Sequence, residues 1–321
     1  FRRFAPNLVR DCEEARKRAK KDEKREKARR LLLERIDQII REGARERFVL
    51  PVKNRVKMKI TVREGVVPEG EKVRCWIPLP RVDELQPEVR VLAAYPSEYV
   101  IAPEDAPQRT IYFEREATGE GLEFWVEYEY VVRASFARVD PKKVEECQDE
   151  KIYGTYTAEQ LPHIAFTPYL RKLAERIVGN EKNPYLKAKR IYDWVTTHVR
   201  YALVPEYSTF ECISDYVARN LRGDCGFFAL LFITLCRISG VPARWQSGWY
   251  MNPVSPGPHD WAQFYVEPYG WLYADLSFGS RYKAVEKYHS FYFGNIDHFR
   301  LAANVDICSE FTPPKLHWRS D

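Results

Sequence analysis

The sequence contains no apolar run that approaches the ~18 residues of a membrane-spanning helix, because charged residues interrupt its longest apolar stretches. It contains no CxxC pair, and its cysteine number is odd, which excludes a disulfide scaffold in a chain of 321 residues. No zinc-ligand spacing is present, so we expect no membrane span, no metal and no other cofactor. The seven cysteines are scattered along the chain: Cys12, Cys75, Cys147, Cys212, Cys225, Cys236 and Cys308.

Excess positive charge is confined to residues 10–30, which hold eleven Lys or Arg and six Asp or Glu. The rest of the chain has 40 residues of each sign, and therefore no basic face that could follow a phosphate backbone. We interpret the basic segment as the solvated face of a helix and expect no nucleic-acid partner.

The first part of the chain changes from a helical to an alternating pattern. Residues 10–47 have the composition of one long charged helix, so we assign residues 1–48 to a helical arm that can contact another element or a partner. From about residue 52, short alternating segments predict an antiparallel β-sandwich over residues 49–140. The narrow apolar stripe of the helix is Leu32, Ile36, Ile39 and Ile40, and strands are predicted at 56–63, 73–78, 89–93, 109–114 and 122–132.

Residues 141–321 carry helical patterns first and strand patterns afterwards, which predicts an α+β domain. The segment 227–238 is apolar on every side, as a buried helix is, and it ends before Gly240 and Pro242. The other helices are predicted at 169–178, from Pro184 and at 213–220, and the strands at 243–250, 261–267 and 271–276.

Cys225 stands at the start of the predicted buried helix, between Gly223-Asp224 and Gly226. The partial positive charge of a helix N-terminus stabilises a thiolate, so we expect the pKa of Cys225 to lie below that of a free cysteine. The unpaired N–H groups of the first helical turn can face an oxyanion, and the two glycines allow a substrate to come close. This setting favours a thiol nucleophile over a buried core cysteine.

A base and an orienting carboxylate follow in the predicted hairpin. His259 opens a strand, Trp261 lies on the same face and can cover the imidazole, and Asp275 on the next strand can fix its tautomer. A type I turn at 267–270 would place residue 278 opposite His259, so the hairpin must contain a bulge or a different turn. A zinc site on Cys225 and His259 would lack its third and fourth ligands.

Three motifs together resemble the transglutaminase-like superfamily of papain-related folds: Gly-Asp-Cys-Gly at 223–226, His-x-Trp-Ala at 259–262 and Trp-Leu-x-Ala-Asp at 271–275. The resemblance covers residues 165–280, and residues 242–245 and the tail from Gly294 resemble a bacterial branch that is usually exported. It implies a papain-like catalytic domain with Cys225 as nucleophile, His259 as base and Asp275 as orienting carboxylate. Animal cross-linking enzymes have Trp where this chain has Gly226, and the Cys-Gly-Ser-Cys-Trp signature of papain is absent, which leaves the substrate open.

From this resemblance we expect a cysteine-dependent amide hydrolase that cleaves peptide or protein substrates, including glycan-bearing ones, through a thioester. A protein-glutamine cross-linking transferase and a non-catalytic scaffold on the same fold are the alternatives. We expect Tyr207 as a second oxyanion donor, and Trp249, Trp261 and Gly226 as residues of a substrate cleft. The sequence opens with Phe1 rather than Met, which a cleaved signal peptide would explain, and we favour an exported protein.

Overall fold

The computed structural model describes residues 23–43 and 45–315, which form eight α-helices and thirteen strands in an α+β arrangement, as expected. None of these helices is long and apolar enough to cross a membrane. The helices are α1 (Glu23–Glu42), α2 (Glu150–Tyr156), α3 (Pro168–Val178), α4 (Pro184–His198), α5 (Ile213–Asn220), α6 (Cys225–Ile238), α7 (Leu276–Tyr282) and α8 (Glu286–Phe291). The strands are β1 (Phe48–Val62), β2 (Lys72–Pro78), β3 (Glu88–Tyr95), β4 (Val100–Ile101), β5 (Thr110–Glu116), β6 (Leu122–Ser135), β7 (Arg200–Tyr201), β8 (Arg222–Gly223), β9 (Ala243–Tyr250), β10 (Gly257–Val266), β11 (Gly270–Ala274), β12 (Phe293–Gly294) and β13 (Arg300–Val305).

Helix α1 is packed along the body of the protein through its apolar stripe. Leu32, Ile36 and Ile39 are buried in the same core as α6, because they recur at helical spacing on one face. Nearer its N-terminal end, the carbonyl oxygen of Ala28 accepts a hydrogen bond of 3.3 Å from Nδ2 of Asn252. The described part of the predicted arm therefore belongs to the main core, and residues 10–22 of the predicted helix lie outside the described residues.

Two three-stranded antiparallel sheets follow, in the orders β1-β6-β3 and β2-β5-β4. Strand β6 alternates buried and half-buried residues from Leu122 to Arg133, and its inward face shares one core with residues of β2 and β5. Each of the five predicted strands falls on one of these strands. The division of the chain at residues 48 and 140 remains a proposal.

The C-terminal part of the described chain contains a five-stranded antiparallel sheet in the order β12-β11-β10-β9-β13. Alternate residues of β10 serve its two faces, since side chains in a strand point to opposite sides in turn. Ala262 and Phe264 face the buried helix α6 in the main core, whereas Trp261 packs into the second core with residues of the N-terminal sheets. This sheet therefore lies between α6 and the N-terminal sheets.

The hairpin of β10 and β11 uses a three-residue loop, residues 267–269, closed by Gly270 with a φ of +70°. Its register pairs Ala262 with Ala274 without a bulge, so a continued ladder would place residue 277 opposite His259. His259 and Asp275 are then diagonal neighbours on one face of the sheet, within reach of each other. The sequence required either a bulge or a turn other than the type I turn at 267–270, and the structure has the other turn.

Candidate active site

Cys225 is the first residue of α6, and its thiol is half-buried where the helix meets the start of β10. Asp224 caps the helix: its carboxylate accepts from the backbone N–H of Phe227 at 3.2 Å and from the phenol of Tyr207 at 2.7 Å. The thiol donates a hydrogen bond of 3.2 Å to Oδ2 of Asp260. The sulfur therefore lies between two carboxyl groups.

The expected low pKa of the Cys225 thiol is wrong. Burial raises the pKa well above the usual value, and the charges of Asp260 and Asp224 raise it further. The helix N-terminus does not compensate, because the carboxylate of Asp224 already occupies its positive end. The thiol therefore needs a proton acceptor at the moment of attack.

Tyr207 lies at the helix start, as predicted, but its hydroxyl proton is engaged. The phenol donates to Oδ1 of Asp224, and burial raises its pKa well above the usual value, together with the charges of Asp260, Asp224 and Cys225. In this arrangement Tyr207 positions Asp224 rather than facing an oxyanion. The backbone carbonyl and carboxylate of Asp224 receive the N–H groups of Phe228 and Phe227. The N–H of Gly226 also faces the Asp224 carboxylate. Among the first-turn donors of the described chain, this leaves the N–H of Cys225 for an oxyanion.

His259 and Asp275 are in direct contact on the opposite face of β10. Nε2 of the buried imidazole lies 2.7 Å from Oδ2 of the fully buried Asp275, which also caps α7 through the N–H of Phe278 at 3.1 Å. The rings of Trp261 and Phe278 flank the imidazole with centroids 5.9 and 5.1 Å away. Because Asp275 holds Nε2, Nδ1 is the ring nitrogen left for chemistry.

Arg300, which sequence analysis did not single out, forms a buried ion pair with Asp275. Its fully buried guanidinium donates from Nη2 to Oδ2 of Asp275 at 2.8 Å and to Oδ2 of Asp297 at 3.0 Å. Burial alone would raise the pKa of Asp275, but the charges of His259 and Arg300 outweigh it and lower the pKa. Asp275 therefore stays a carboxylate beside the imidazole.

Asp260 is the second residue that sequence reasoning missed, although strand alternation could have found it. It shares its face of β10 with Ala262 and Phe264, which is the face that carries α6 and Cys225. Burial raises the pKa of Asp260 to about 6, and the charge of His259 opposes that increase. The backbone N–H of Asp260 also faces the sulfur and lowers the thiol pKa.

The predicted cleft residues divide into three cases. Trp261 is fully buried and donates from Nε1 to Oε1 of Gln246 at 2.6 Å, so it offers no surface to a substrate. Trp249 is half-buried on the neighbouring strand β9. Gly226 is buried, and a Cβ there would lie 2.0 Å from the Tyr207 hydroxyl and 2.7 Å from Cη2 of Trp245. Its missing side chain therefore makes room for these two rings.

Cys225 at the start of the buried helix, and the contacting pair His259 and Asp275, lie in one stretch of the chain that is similar to a known family. Residues 171–276 match the family model of the transglutaminase-like superfamily, and the expected resemblance is confirmed. This match supports a relation to a family of cysteine-type catalytic proteins in the broad sense.

Individual relatives are distant. An uncharacterized protein of Haemophilus influenzae is 23% identical, with 69% of this chain and 69% of that protein covered. A protein from Cytophaga hutchinsonii, provisionally described as a cysteine protease, has 20% identity and a TM-score of 0.51 over 71% of this chain and 79% of its own. The periplasmic domain of TgpA from Pseudomonas aeruginosa has 12% identity and a TM-score of 0.39 over 76% of this chain and 75% of its own.

Proposed function

We propose that this protein is a cysteine-dependent amide hydrolase that cleaves peptide or protein substrates through a thioester on Cys225. His259 is the acid–base residue, and Asp275 orients its ring. The observation that carries the proposal is the buried His259–Asp275 pair of 2.7 Å, located one residue before the strand position that contacts the Cys225 thiol. Buried pairs of titratable groups near a thiol are more typical of functional sites than of structural cores.

The chemistry follows from the positions of these groups. The sulfur attacks the acyl carbon, and the N–H of Cys225 at the helix start stabilises the oxyanion. In its protonated form His259 gives the leaving amine the proton on Nδ1, and the neutral ring then takes a proton from the water that hydrolyses the thioester. Asp275 keeps the ring in the tautomer that exposes Nδ1, because it accepts from Nε2.

The test is mass spectrometry of a defined peptide mixture incubated with wild-type protein and with Cys225→Ala, in the presence of cadaverine. Wild-type protein is expected to cleave amide bonds with incorporation of water, and Cys225→Ala is expected to lose this by a factor of at least ~10³. Cys147→Ala is the matched control, because Cys147 is a half-buried thiol far along the chain from the site.

Each other result has a definite meaning. Incorporation of cadaverine instead of water would identify a transferase. Equal product patterns for wild type and Cys225→Ala would refute the catalytic role of Cys225 and favour a scaffold protein.

A further inference from the structure

The carboxyl group of Asp260 is the group that contacts the reacting sulfur. Oδ2 of Asp260 accepts the thiol hydrogen bond at 3.2 Å, and its backbone N–H faces the same sulfur. In the described part of the chain, no hydrogen bond joins the thiol to the imidazole of His259. The direct path for the thiol proton in this structure therefore leads to Asp260.

The charges around the sulfur make an acceptor necessary. Asp224 carries its carboxyl at the start of α6, Asp275 contacts His259, and the half-buried thiol is largely shielded from water. A free thiolate would add a further negative charge to this group of carboxylates, which explains its unfavourable ionisation. Transfer of the proton to Asp260 leaves the net charge of the group unchanged.

The surroundings of Asp260 give its carboxyl the basicity that this transfer needs. Burial is the main reason that its pKa rises to about 6, Asp224 and Asp275 add to the increase, and His259 and the thiol hydrogen bond oppose it. A carboxyl in this range is mostly ionised at neutral pH and still basic enough to accept a proton in a transition state. The carboxyl of Asp260 is mostly ionised at neutral pH although burial disfavours the ionised form, and such perturbed groups are typical of functional sites.

We propose that Asp260 is a fourth catalytic residue, which accepts the Cys225 thiol proton during attack while His259 serves the leaving group and the water. The proposal rests on the proposed function. It divides the proton transfers between two adjacent residues of β10, Asp260, which contacts the thiol, and His259, which contacts Asp275.

The proton balance closes over one cycle. The reaction begins with a thiol, an Asp260 carboxylate and a His259 imidazolium. In acylation the S–H bond breaks and its proton moves to Oδ2 of Asp260, the S–C bond forms, and the C–N bond breaks as the imidazolium protonates the amine. In deacylation water attacks the thioester and gives a proton to His259, and the leaving sulfur takes back the proton from Asp260. Thiol, carboxylate and imidazolium are all restored.

The test measures thiol reactivity with iodoacetamide, which needs no knowledge of the substrate. The alkylation rate of Cys225 is followed by peptide mass spectrometry from pH 5 to pH 9 in wild type, Asp260→Asn and His259→Asn. In wild type the rate is expected to rise through an inflection near pH 6, as the Asp260 carboxyl ionises, and then to level off. In Asp260→Asn that inflection is expected to disappear, and the rate should climb about tenfold per pH unit with the thiolate fraction.

His259→Asn discriminates between the two acceptors. It is expected to retain the inflection and shift it to higher pH, because the charge of His259 opposes the increase in the pKa of Asp260. An inflection that survives in Asp260→Asn and disappears in His259→Asn would overturn the proposal and make His259 the acceptor. Absence of alkylation at every pH in folded wild type would overturn it as well.

Circular dichroism checks that each variant is folded, and Asp260→Ser replaces Asp260→Asn if the latter is not. The result also separates the two proposals. The expected alkylation profiles without peptide cleavage by wild type would refute the amide hydrolase and leave the assignment of Asp260 standing. Cleavage that depends on Cys225, with unchanged profiles in Asp260→Asn, would refute Asp260 alone.

Discussion

Replacement of Arg300 by Met is expected to destabilise the protein most strongly at neutral pH. The guanidinium is fully buried, 2.8 Å from Asp275 and 3.0 Å from Asp297. Removing one partner of a buried ion pair costs about 3–5 kcal/mol, because the remaining charge stays uncompensated. At about 2 °C per kcal/mol, the lower end for chains of this size, the melting temperature at pH 7 is expected to fall by roughly 6–10 °C.

The difference in melting temperature between wild type and Arg300→Met should become smaller at acidic pH. Although burial opposes it, the pKa of Asp275 is lowered in the folded protein by His259 and Arg300. A carboxyl with a lowered pKa contributes stability above its unfolded pKa of ~3.9 and loses it as the pH falls through the folded value. Without Arg300 the pKa of Asp275 rises, and protonation relieves the unpaired charge. The melting temperatures of wild type and variant are therefore expected to converge from pH 7 towards pH 4.

Differential scanning calorimetry across this range measures both effects, with Arg109→Met as the matched control. Arg109 is also buried, but it donates to the carbonyl of Pro80 at 2.7 Å and its carboxylate partner, Glu104, is exposed and 3.7 Å away. Its replacement leaves no buried charge behind, so we expect a smaller loss that does not depend on pH. An Arg300→Met protein that melts within 2 °C of wild type at pH 7, or whose loss is constant with pH, would refute the reasoning.

Three further outcomes follow from single contacts. Gly226→Ala is expected to lower the free energy of unfolding, measured with urea, by about 1–3 kcal/mol, because its Cβ would meet Tyr207 and Trp245. Gly154→Ala is the control: this residue lies in α2 with open space around it, and the substitution should raise the free energy of unfolding by up to ~1 kcal/mol. Ile36→Ala is expected to lose about 2–5 kcal/mol in the same assay, and an unchanged midpoint would mean that α1 is not part of the core. Asp260→Asn is expected to raise the free energy of unfolding by up to about 3 kcal/mol over wild type at pH 8 and by little at pH 4. The reason is that a carboxyl with a raised pKa destabilises the folded protein as the pH rises through that pKa. Thermal melts at both pH values measure this difference.

Much of the fold could be predicted because its elements carry strong local patterns. The alternation of β6 and the apolar run of α6 each identified an element within a few residues of its bounds. The short helices α2, α7 and α8 were not predicted, because six or seven residues are too few for a clear helical period. Strand β13 was missed for another reason: it pairs with β9, about fifty residues earlier, and no local signal encodes a pairing at that distance.

Some residues of the candidate site could be predicted from the sequence, and others could not. Cys225 and His259 were selected because each stands at the start of a predicted element, and Asp275 because it lies on the next predicted strand and could fix the tautomer of the imidazole. The structure brings His259 and Asp275 together. Arg300 could not be found, since an arginine that opens an unpredicted strand has no distinguishing neighbours in the sequence. Asp260 could have been found, because parity along β10 already separates it from His259 and directs it to the side of α6.

Because the five-stranded sheet lies between two cores, the stretch that matches the family depends on residues outside it for folding. Trp261, Tyr273 and Leu301 belong to the core that the N-terminal sheets complete, and Arg300 lies beyond the residues that match the family. A fragment reduced to residues 171–276 would expose the indole of Trp261 to water and leave Asp275 without its buried cation. Residues 171–276 are therefore not expected to fold on their own, and a chain cut at these ends is expected to aggregate.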